Sequence, residues 1–386
     1  MSNQAQTSNT PKPFKKAPFR YDVVGSYLRP QALKEAREAF TAGNLSQDEL
    51  TKIEDTEIRK LVEKQKKIGL KAITDGEFRR SYWHLDFFWG FEGIEHVLMD
   101  RGYLFHGEET RADSARLSGK IRVGSEHPFL AHYRFLKEAA GDDVLAKQTI
   151  PAPAQLLAEL VRDVNAKEVE RLYPDREELY RDIAAAYRSV ILSFYEAGCR
   201  NVQLDDCTWG MLCDESFWSA MAGEGYDPAQ LQTLYLRLNN DAIADLPEDL
   251  VVTTHVCRGN YHSTWATSGG YQPVAETLLG KENVSAYFLE YDTDRAGDFT
   301  PLAKVSGDKQ VVLGLISSKT GELESKEQII ARIKEAEQYV PADRLCLSPQ
   351  CGFASTEEGN ILTEEEQWKK IALVKEIAEE VWGEES

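Results

Sequence analysis

Four side chains of the types that bind zinc are spread over the last third of the chain. They stand at or just after the ends of short apolar runs, and they are His255, Cys257, Glu290 and Cys351. One imidazole, two thiols and one carboxylate suit zinc in tetrahedral coordination. A zinc-finger knuckle takes its ligands from one compact segment, whereas these are separated by nearly a hundred residues. The spacing instead predicts a site assembled where several parallel strands end.

Each residue has an ordinary alternative interpretation. A lone Cys near a strand end is usually a small buried hydrophobe, and a lone His or Glu is usually a hydrogen-bonded bystander. The metal hypothesis depends on the four occurring together at one end of the predicted strands. His255 and Cys257 are two positions apart, so in an extended strand their side chains point the same way. The remaining cysteines are interpreted as ordinary hydrophobic residues: Cys199, Cys207, Cys213 and Cys346.

The types of ligand constrain the chemistry. Two thiolates and a carboxylate place three negative charges around Zn²⁺, which makes the metal a poor Lewis acid for activating water. Such a zinc can still bind a substrate thiol and hold it as a reactive thiolate. The ligand set therefore favours alkylation of a thiol over hydrolysis.

Eight short apolar runs that alternate with amphipathic segments must position these ligands. The predicted strands are Tyr21–Ser26, Lys71–Gly76, Val144–Ile150, Asn201–Asp205, Leu250–Val256, Val284–Glu290, Gln310–Ile316 and Arg344–Ser348. The predicted helices are Asp48–Gly69, Arg176–Ala197, Asp227–Ala244, Pro273–Leu279, Lys326–Tyr339 and Glu364–Val381. Strands that are apolar on both faces are typical of a parallel sheet covered on both sides. Eight alternations predict an α/β fold of the (β/α)₈ TIM-barrel type, and no GxGxxG turn follows the first strand to favour a Rossmann fold.

Two segments lie outside this alternation. Residues 1–18 are polar and lack the apolar core of a signal peptide, so we predict a disordered leader before a single barrel domain over 19–386. Residues 81–124 form an insertion after the second strand, aromatic at first and then basic. We expect a lid or pocket wall there, with a small hairpin from Tyr103 to Val123.

Composition excludes several classes of function. The chain has 386 residues and a formal net charge of −19, which disfavours binding to nucleic acid or to an anionic membrane. No apolar run is long enough to span a bilayer. Six cysteines without regular spacing do not form a disulfide framework, so we expect a reducing cytoplasm in which thiols are free to bind metal.

Further polar residues follow the other predicted strands. After the first strand, Gly25 allows close approach of the backbone, Ser26 can hydrogen-bond a ligand, and Arg29 can hold a carboxylate. Glu77 and Asp205 follow the second and fourth strands, where they could bind a substrate ammonium group. Helix caps and surface ion pairs are the alternative interpretation, which suits the nearby Asp75, Arg79 and Arg80 better than Glu77 and Asp205, because the latter two directly end the apolar runs.

These motifs together resemble the catalytic half of cobalamin-independent methionine synthase. The segments VGSYLRP, DGE, QLDD, THVC, LE and SPQCG occur in the order seen in that family, from about Tyr21 to Gly352. The resemblance implies a barrel enzyme in which zinc holds the homocysteine thiolate while a methyl group is transferred to it. It implies zinc ligands at His255, Cys257, Glu290 and Cys351.

The resemblance also implies the remaining site residues. Homocysteine would contact Gly25, Ser26, Glu77 and Asp205, with the two carboxylates on its ammonium group. Lys319 stands where the family has a proton-donating His, which makes it a candidate catalytic group. Asp205 is the second candidate catalytic group, in addition to its place among the homocysteine contacts.

Departures from the family pattern leave the methyl donor open. The family's QxDEP segment is QLDDC here, its folate-stacking Trp is absent, and the chain has the length of one barrel instead of two. Methyltetrahydrofolate, a methylated corrinoid and a simpler methyl compound are all possible donors. A zinc-dependent alkyltransferase for another thiol, a non-catalytic zinc-stabilised barrel, and a relative of the metal-free decarboxylases in the same superfamily are the alternatives.

Overall fold

The structure is a computed structural model that describes residues 17–162, 165–223 and 227–384. Nearly all of the predicted leader, residues 1–16, lies outside this range. In the described range, no helix combines the length and the apolar character needed to cross a membrane.

The strands of the described residues are numbered in chain order. They are β1 (Ala72–Ile73), β2 (Glu92–Leu98), β3 (Leu104–Phe105), β4 (Glu108–Glu109), β5 (Asp113–Arg122), β6 (Leu145–Ala146), β7 (Gln148–Pro151), β8 (Asn201–Asp205), β9 (Val251–Val256), β10 (Ala286–Glu290), β11 (Gln310–Ile316) and β12 (Leu345–Pro349). The helices are α1 (Gln31–Thr41), α2 (Gln47–Ile68), α3 (Leu85–Phe88), α4 (Pro128–Ala140), α5 (Pro153–Leu160), α6 (Ala166–Leu172), α7 (Arg176–Glu196), α8 (Thr208–Leu212), α9 (Glu215–Gly223), α10 (Pro228–Ala242), α11 (Ala275–Lys281), α12 (Lys326–Ala336) and α13 (Glu364–Trp382).

Parallel pairing links these strands into a mixed α/β fold. A six-stranded sheet runs in the order β7, β8, β9, β10, β11, β12, and every neighbouring pair is parallel. β1 pairs in parallel with β6, which is separated from β7 only by Lys147. Tyr21 forms a parallel bridge with Leu347 of β12, and Ser26 forms one with Gly76 just after β1. The parallel arrangement is consistent with a barrel-like catalytic domain.

The strands are buried because both faces are covered. Every residue of β8, β9, β10 and β12 is buried, as the continuous Val, Ile and Leu content predicted. The predicted strands Asn201–Asp205 and Gln310–Ile316 are confirmed residue for residue.

Local sequence signals fix the ends of the long helices. α2 begins at a capping box in which Ser46 and Glu49 exchange hydrogen bonds, and it ends at Gly69, whose φ of 95° favours a residue without a Cβ. Thr363 and Glu366 form a second capping box at the start of α13. These signals explain why the predicted bounds of α2 and α13 differ by one residue at most from the observed ones.

The insertion after β1 pairs differently from the sequence-based expectation. β5 is antiparallel to β2, with Ile94 opposite Leu117, whereas the hairpin that turns within 103–123 is the short pair of β3 and β4. The expected hairpin from Tyr103 to Val123 is therefore wrong in its pairing. β5 pairs with β2, the strand before the short hairpin, because this longer pairing buries the apolar side chains of Ile94 and Leu117 against each other.

Candidate metal and substrate site

Three of the four predicted zinc ligands meet at one end of the parallel sheet. His255 lies near the end of β9, Cys257 directly follows that strand, and Cys351 follows β12. The ligand atoms of these three buried residues all lie within 4.8 Å of one another. They converge because the carboxyl ends of parallel strands open on the same side of the sheet.

The His255 ring is oriented so that one nitrogen remains open. Its Nδ1 lies 3.2 Å from the backbone oxygen of Phe288, to which the N–H donates. The buried Nε2 has no hydrogen-bond partner in the described part of the chain. In metal-binding histidines, one ring nitrogen commonly donates a hydrogen bond to a carbonyl or carboxylate, which orients the ring and leaves the other nitrogen for the metal.

The thiols are also suited to a metal. Contacts with Cys207, then Cys351 and His255, hold the pKa of Cys257 well below its usual range, although burial opposes the effect. A thiolate is the form of cysteine that binds zinc. The donor set on this side of the sheet therefore fits Zn²⁺.

Glu290, the predicted fourth ligand, lies beside this group but has other partners. Its Oε2 accepts a hydrogen bond of 2.9 Å from the backbone N–H of Arg258, and its Oε1 lies 3.1 Å from the Arg295 guanidinium. Among the described residues, the metal-ligand atoms within 4.8 Å of one another do not include those of Glu290. Its role as a ligand stays a prediction.

Cys207 is a site residue that the sequence-based interpretation missed. Its Sγ lies 3.3 Å from Cys257 Sγ, and its side chain lines the adjacent cavity. The signal that could have identified it was its position two residues after β8, on the side of the sheet where the predicted ligands also lie.

A cavity of about 1150 Å³ opens over the cluster. The insertion contributes Tyr82, Trp83, Tyr103 and Phe105 to its wall. Phe87 and Phe88 of α3 lie in the hydrophobic core instead. The cavity is thus lined by metal-binding groups at the strand ends and by aromatic rings farther out.

Glu77 presents an unpaired carboxylate oxygen at the cavity. Its Oε1 accepts a hydrogen bond of 2.9 Å from Thr149 Oγ1 and lies 3.3 Å from Arg80, while the buried Oε2 has no partner among the described residues. Burial raises the pKa of Glu77, and the charges of Arg80 and Arg29 oppose that rise. The residue has a φ of 62°, a left-handed backbone that costs a non-glycine residue energy and is typical of functional sites.

Asp205 lies on the same wall. Its Oδ1 accepts a hydrogen bond of 2.8 Å from Gln203 Nε2. Burial raises the pKa of Asp205 to about 7, with His255 opposing the change and Glu77 adding to it. A cationic group bound between Glu77 and Asp205 would favour the ionised form of both carboxyls.

The three residues predicted after the first strand segment have different surroundings. Ser26 lines the cavity and its Oγ accepts a hydrogen bond of 3.3 Å from the backbone N–H of Ala354. Gly25, at φ +147°, is packed so closely that an added Cβ would lie 2.8 Å from Thr149. Arg29 is buried away from the cavity wall, where its guanidinium donates to the carbonyls of Tyr27, Glu77, Arg80 and Ala354. Through these hydrogen bonds Arg29 links loops of the protein to one another.

The family is decided by a match along most of the chain. The family model described as the catalytic domain of cobalamin-independent synthase matches residues 19–93 and 169–378, well over half of the sequence. The chain belongs to the cobalamin-independent methionine synthase family. The family consists of methionine synthase-like methyltransferases, so the protein is an enzyme of this type.

Individual relatives cover nearly the whole chain. YxjH of Bacillus subtilis (strain 168), described as an uncharacterized protein, is 49% identical over 369 residues, which are 95% of this chain and 96% of its own. The structure of a putative vitamin-B12 independent methionine synthase from Listeria monocytogenes has 43% identity, a TM-score of 0.76, and coverage of 96% of this chain and 100% of that one. A B12-independent methionine synthase from Shewanella sp. W3-18-1, solved with selenomethionine, shares the fold at 20% identity and a TM-score of 0.69, over 95% of this chain and 98% of that one.

Lys319, the proton donor that the sequence resemblance predicts, is buried near the cluster. Its Nζ has no hydrogen-bond partner among the described residues. The contact with Cys257, together with burial, raises the pKa of Cys351, and the positive charge of Lys319 opposes that rise. Lys319 is therefore close enough to the cluster to act electrostatically on it, and its catalytic role stays a prediction.

Proposed function

We propose that this methionine synthase-family enzyme uses zinc to bind homocysteine as a thiolate and transfers a methyl group to its sulfur, giving methionine. One observation supports the proposal. The side chains of His255, Cys257 and Cys351 converge, with His255 Nε2 open, at a cavity that Glu77 and Asp205 also line. The first three residues suit a soft metal, and the two carboxyls suit an amino acid.

The protein groups have distinct tasks in this proposal. His255, Cys257 and Cys351 hold zinc, with Glu290 as the predicted further ligand. When bound, zinc supplies the positive charge that lowers the pKa of the substrate thiol into the neutral range. Lys319 is the candidate for donating a proton to the leaving group or for holding an anionic part of the donor.

The substrate is oriented from its amino-acid end. Glu77 Oε2 and Asp205 bind the ammonium group, and Ser26, with the backbone at Gly25, binds the carboxylate. This arrangement directs the sulfur of homocysteine toward the cysteine cluster. Arg80 contributes indirectly to this orientation of the substrate, because its contact with Glu77 at 3.3 Å holds that carboxylate in place.

The scaffold that we propose is a closed (β/α)₈ barrel with the insertion as a lid. The bridges of Tyr21 to Leu347 and of Ser26 to Gly76 support closure, because they join the two ends of the series of parallel pairs. The aromatic side chains that the insertion contributes to the cavity wall support its role as a lid over the methyl donor.

Metal content and methyl transfer test this function together. The purified protein should hold about one zinc per chain and should form methionine from homocysteine with methyltetrahydrofolate or methylcobalamin as the donor. Cys257→Ser should lose both the zinc and the activity, whereas Cys213→Ser, a buried cysteine outside the cluster, should keep them. Absence of zinc from the parent after anaerobic reconstitution would refute the proposal.

A further inference from the structure

A series of hydrogen-bonded polar side chains lies in the cavity wall on the side of the insertion. His84 Nε2 lies 3.1 Å from the hydroxyl of Tyr103, which donates a hydrogen bond of 2.8 Å to Glu159 Oε2. His84 and Glu159 are 4% and 2% exposed, and all three side chains border the cavity. Tyr103 and Glu159 lie outside the two stretches that match the family model, and neither the metal cluster nor the contacts proposed for homocysteine involve any of the three.

The partners of Glu159 fix the direction of these hydrogen bonds. Its Oε1 accepts from the hydroxyl of Ser114 and lies 3.4 Å from the backbone N–H of Ala115, while its Oε2 accepts from Tyr103. Since the Tyr103 proton is directed at Glu159, the Tyr103 oxygen can only accept, and its donor is the Nε2–H of His84. A neutral imidazole has one N–H, so His84 Nδ1 carries a free lone pair.

The surroundings of His84 keep its ring neutral and leave that nitrogen open. Burial, with a smaller effect from the positive charge of Arg162, lowers the pKa of His84 to about 3. Nδ1 has no hydrogen-bond partner among the described residues, and the ring makes no capping hydrogen bond to α3, which it directly precedes. A buried acceptor is costly unless a ligand or water fills its place, so the ring presents an unused hydrogen-bonding position at the cavity wall.

The cavity has room for a second ligand at this wall. Its volume of about 1150 Å³ exceeds the roughly 300–1,000 Å³ of pockets that hold drug-sized molecules, and an amino-acid thiol is smaller than those. The Trp83 ring lies 4.5 Å from the His84 ring between centroids, and the Arg162 guanidinium lies 4.2 Å from the centroid of Tyr103. A wall of rings with one open acceptor suits a largely apolar ligand that has few polar groups.

We propose that His84 is a specificity-determining residue of the methyl-donor site, where its Nδ1 accepts a hydrogen bond from an uncharged N–H group of the donor. Tyr103 and Glu159 are positioning residues, because they fix which nitrogen of the His84 ring carries the proton. The inference rests on the proposed methyl transfer and specifies the chemistry of the donor. Such N–H groups occur on the pterin ring of methyltetrahydrofolate and on the carboxamides of methylcobalamin, whereas dimethylsulfoniopropionate, a simple sulfonium compound, has none.

Steady-state kinetics of the zinc-loaded protein with homocysteine and each of these three donors test the inference. His84→Phe keeps an aromatic ring and removes the acceptor. It should raise the KM for the accepted N–H donor at least about 5-fold, because a buried N–H is left without an acceptor. The value of kcat and the KM for homocysteine should stay unchanged. His84→Asn, whose side-chain oxygen takes the place of Nδ1, should restore most of the affinity for the donor.

The matched control is a histidine of the same insertion. His96 lies in β2, is exposed, and pairs with Asp113 at 2.7 Å outside the lining of the cavity. His96→Phe should therefore keep the KM of the unmutated protein for every donor. The N–H donor whose KM responds to His84→Phe identifies the source of the N–H group, a pterin ring or a corrinoid carboxamide.

A spectroscopic measurement covers the case in which His84→Phe folds poorly. In protein whose histidines carry the heavy nitrogen isotope, the NMR signal of His84 Nδ1 should shift when the accepted donor binds. Tyr103→Phe, which removes only the hydroxyl, should lose the single Nε2–H tautomer of His84.

Three results would overturn the inference and leave the proposed function standing. They are an Nδ1 signal that does not change on donor binding, equal KM values for the unmutated protein and His84→Phe, and acceptance of dimethylsulfoniopropionate alone. Failure of all three donors to methylate homocysteine would refute the proposed function as well.

Discussion

The unpaired oxygen of Glu77 makes a quantitative prediction about substrate binding. Glu77→Gln keeps the shape of the side chain and retains an acceptor for the Thr149 hydroxyl and for Arg80, which contact Oε1 at 2.9 and 3.3 Å. It replaces the free Oε2 by an amide nitrogen that cannot accept a hydrogen bond. The variant therefore removes the contact proposed for the substrate ammonium group and preserves the local structure.

The expected loss follows from the surroundings of that oxygen. A hydrogen bond to a charged group contributes about 1.5–3 kcal/mol, and burial of Glu77 keeps water from screening it. Arg80 neutralises part of the carboxylate charge, which favours the lower half of that range. At 1.4 kcal/mol per factor of ten, the dissociation constant for homocysteine should rise about 10- to 40-fold.

Isothermal titration calorimetry on the zinc-loaded protein measures this effect without a methyl donor. Homocysteine is compared with 4-mercaptobutyrate, the same thiol acid without the amino group. Glu77→Gln should weaken the binding of homocysteine and leave that of 4-mercaptobutyrate unchanged. The control is Glu54→Gln, a buried carboxylate that pairs with Arg79 and Arg37 outside the cavity and should affect neither ligand. Equal weakening of both thiols, or of neither, would refute the role of Glu77 as the ammonium ligand.

Three further predictions concern strain, pH and metal. Because Glu77 has a φ of 62°, Glu77→Gly should be more stable than Glu77→Ala by about 1 kcal/mol in urea unfolding, the reverse of the usual order. Burial, with a further contribution from Asp206, raises the pKa of Glu282 to about 8, so the native state keeps a proton that the unfolded chain releases near 4.5. The unmutated protein should therefore lose up to about 5 kcal/mol of unfolding free energy as the pH rises from about 4.5 to about 8. Unfolding curves at pH 5 and pH 8.5 should show this loss for the unmutated protein and not for Glu282→Gln. The same loss in both proteins would contradict the prediction. Chelation of zinc should abolish homocysteine binding with little change in the melting temperature, since the core is packed independently of the cluster; unfolding on chelation would instead favour a zinc-stabilised, non-catalytic protein.

Much of the secondary structure could be predicted because its signals are local. The continuous apolar runs of β8 and β11 and the caps of α2 and α13 are contained within a few consecutive residues. The insertion was less predictable, because the choice of β2 as the partner of β5 depends on which buried faces meet across a gap in sequence. Local patterns therefore predicted where strands occur better than they predicted how the insertion pairs.

The candidate site divides in the same way. Residue types at strand ends were enough to predict that His255, Cys257 and Cys351 come together, because parallel strands direct their carboxyl ends to one side. The sequence could not show that Arg29 turns away from the cavity to bind carbonyls, since that depends on loops distant in the chain. Nor could it distinguish Cys207 from the cysteines of the core.

The sequence by itself thus determined the α/β class, the chemical types of the site residues and their order along the strands. Hydrophobic periodicity and strand-end positions carry that information without reference to distant contacts. Only the tertiary structure decided which groups have spare bonding capacity. His255 Nε2 and Glu77 Oε2 have no hydrogen-bond partner in the part of the chain that the structure describes, whereas both oxygens of Glu290 are hydrogen-bonded. Such capacity depends on partners contributed by other strands and loops, and these meet only when the chain is folded.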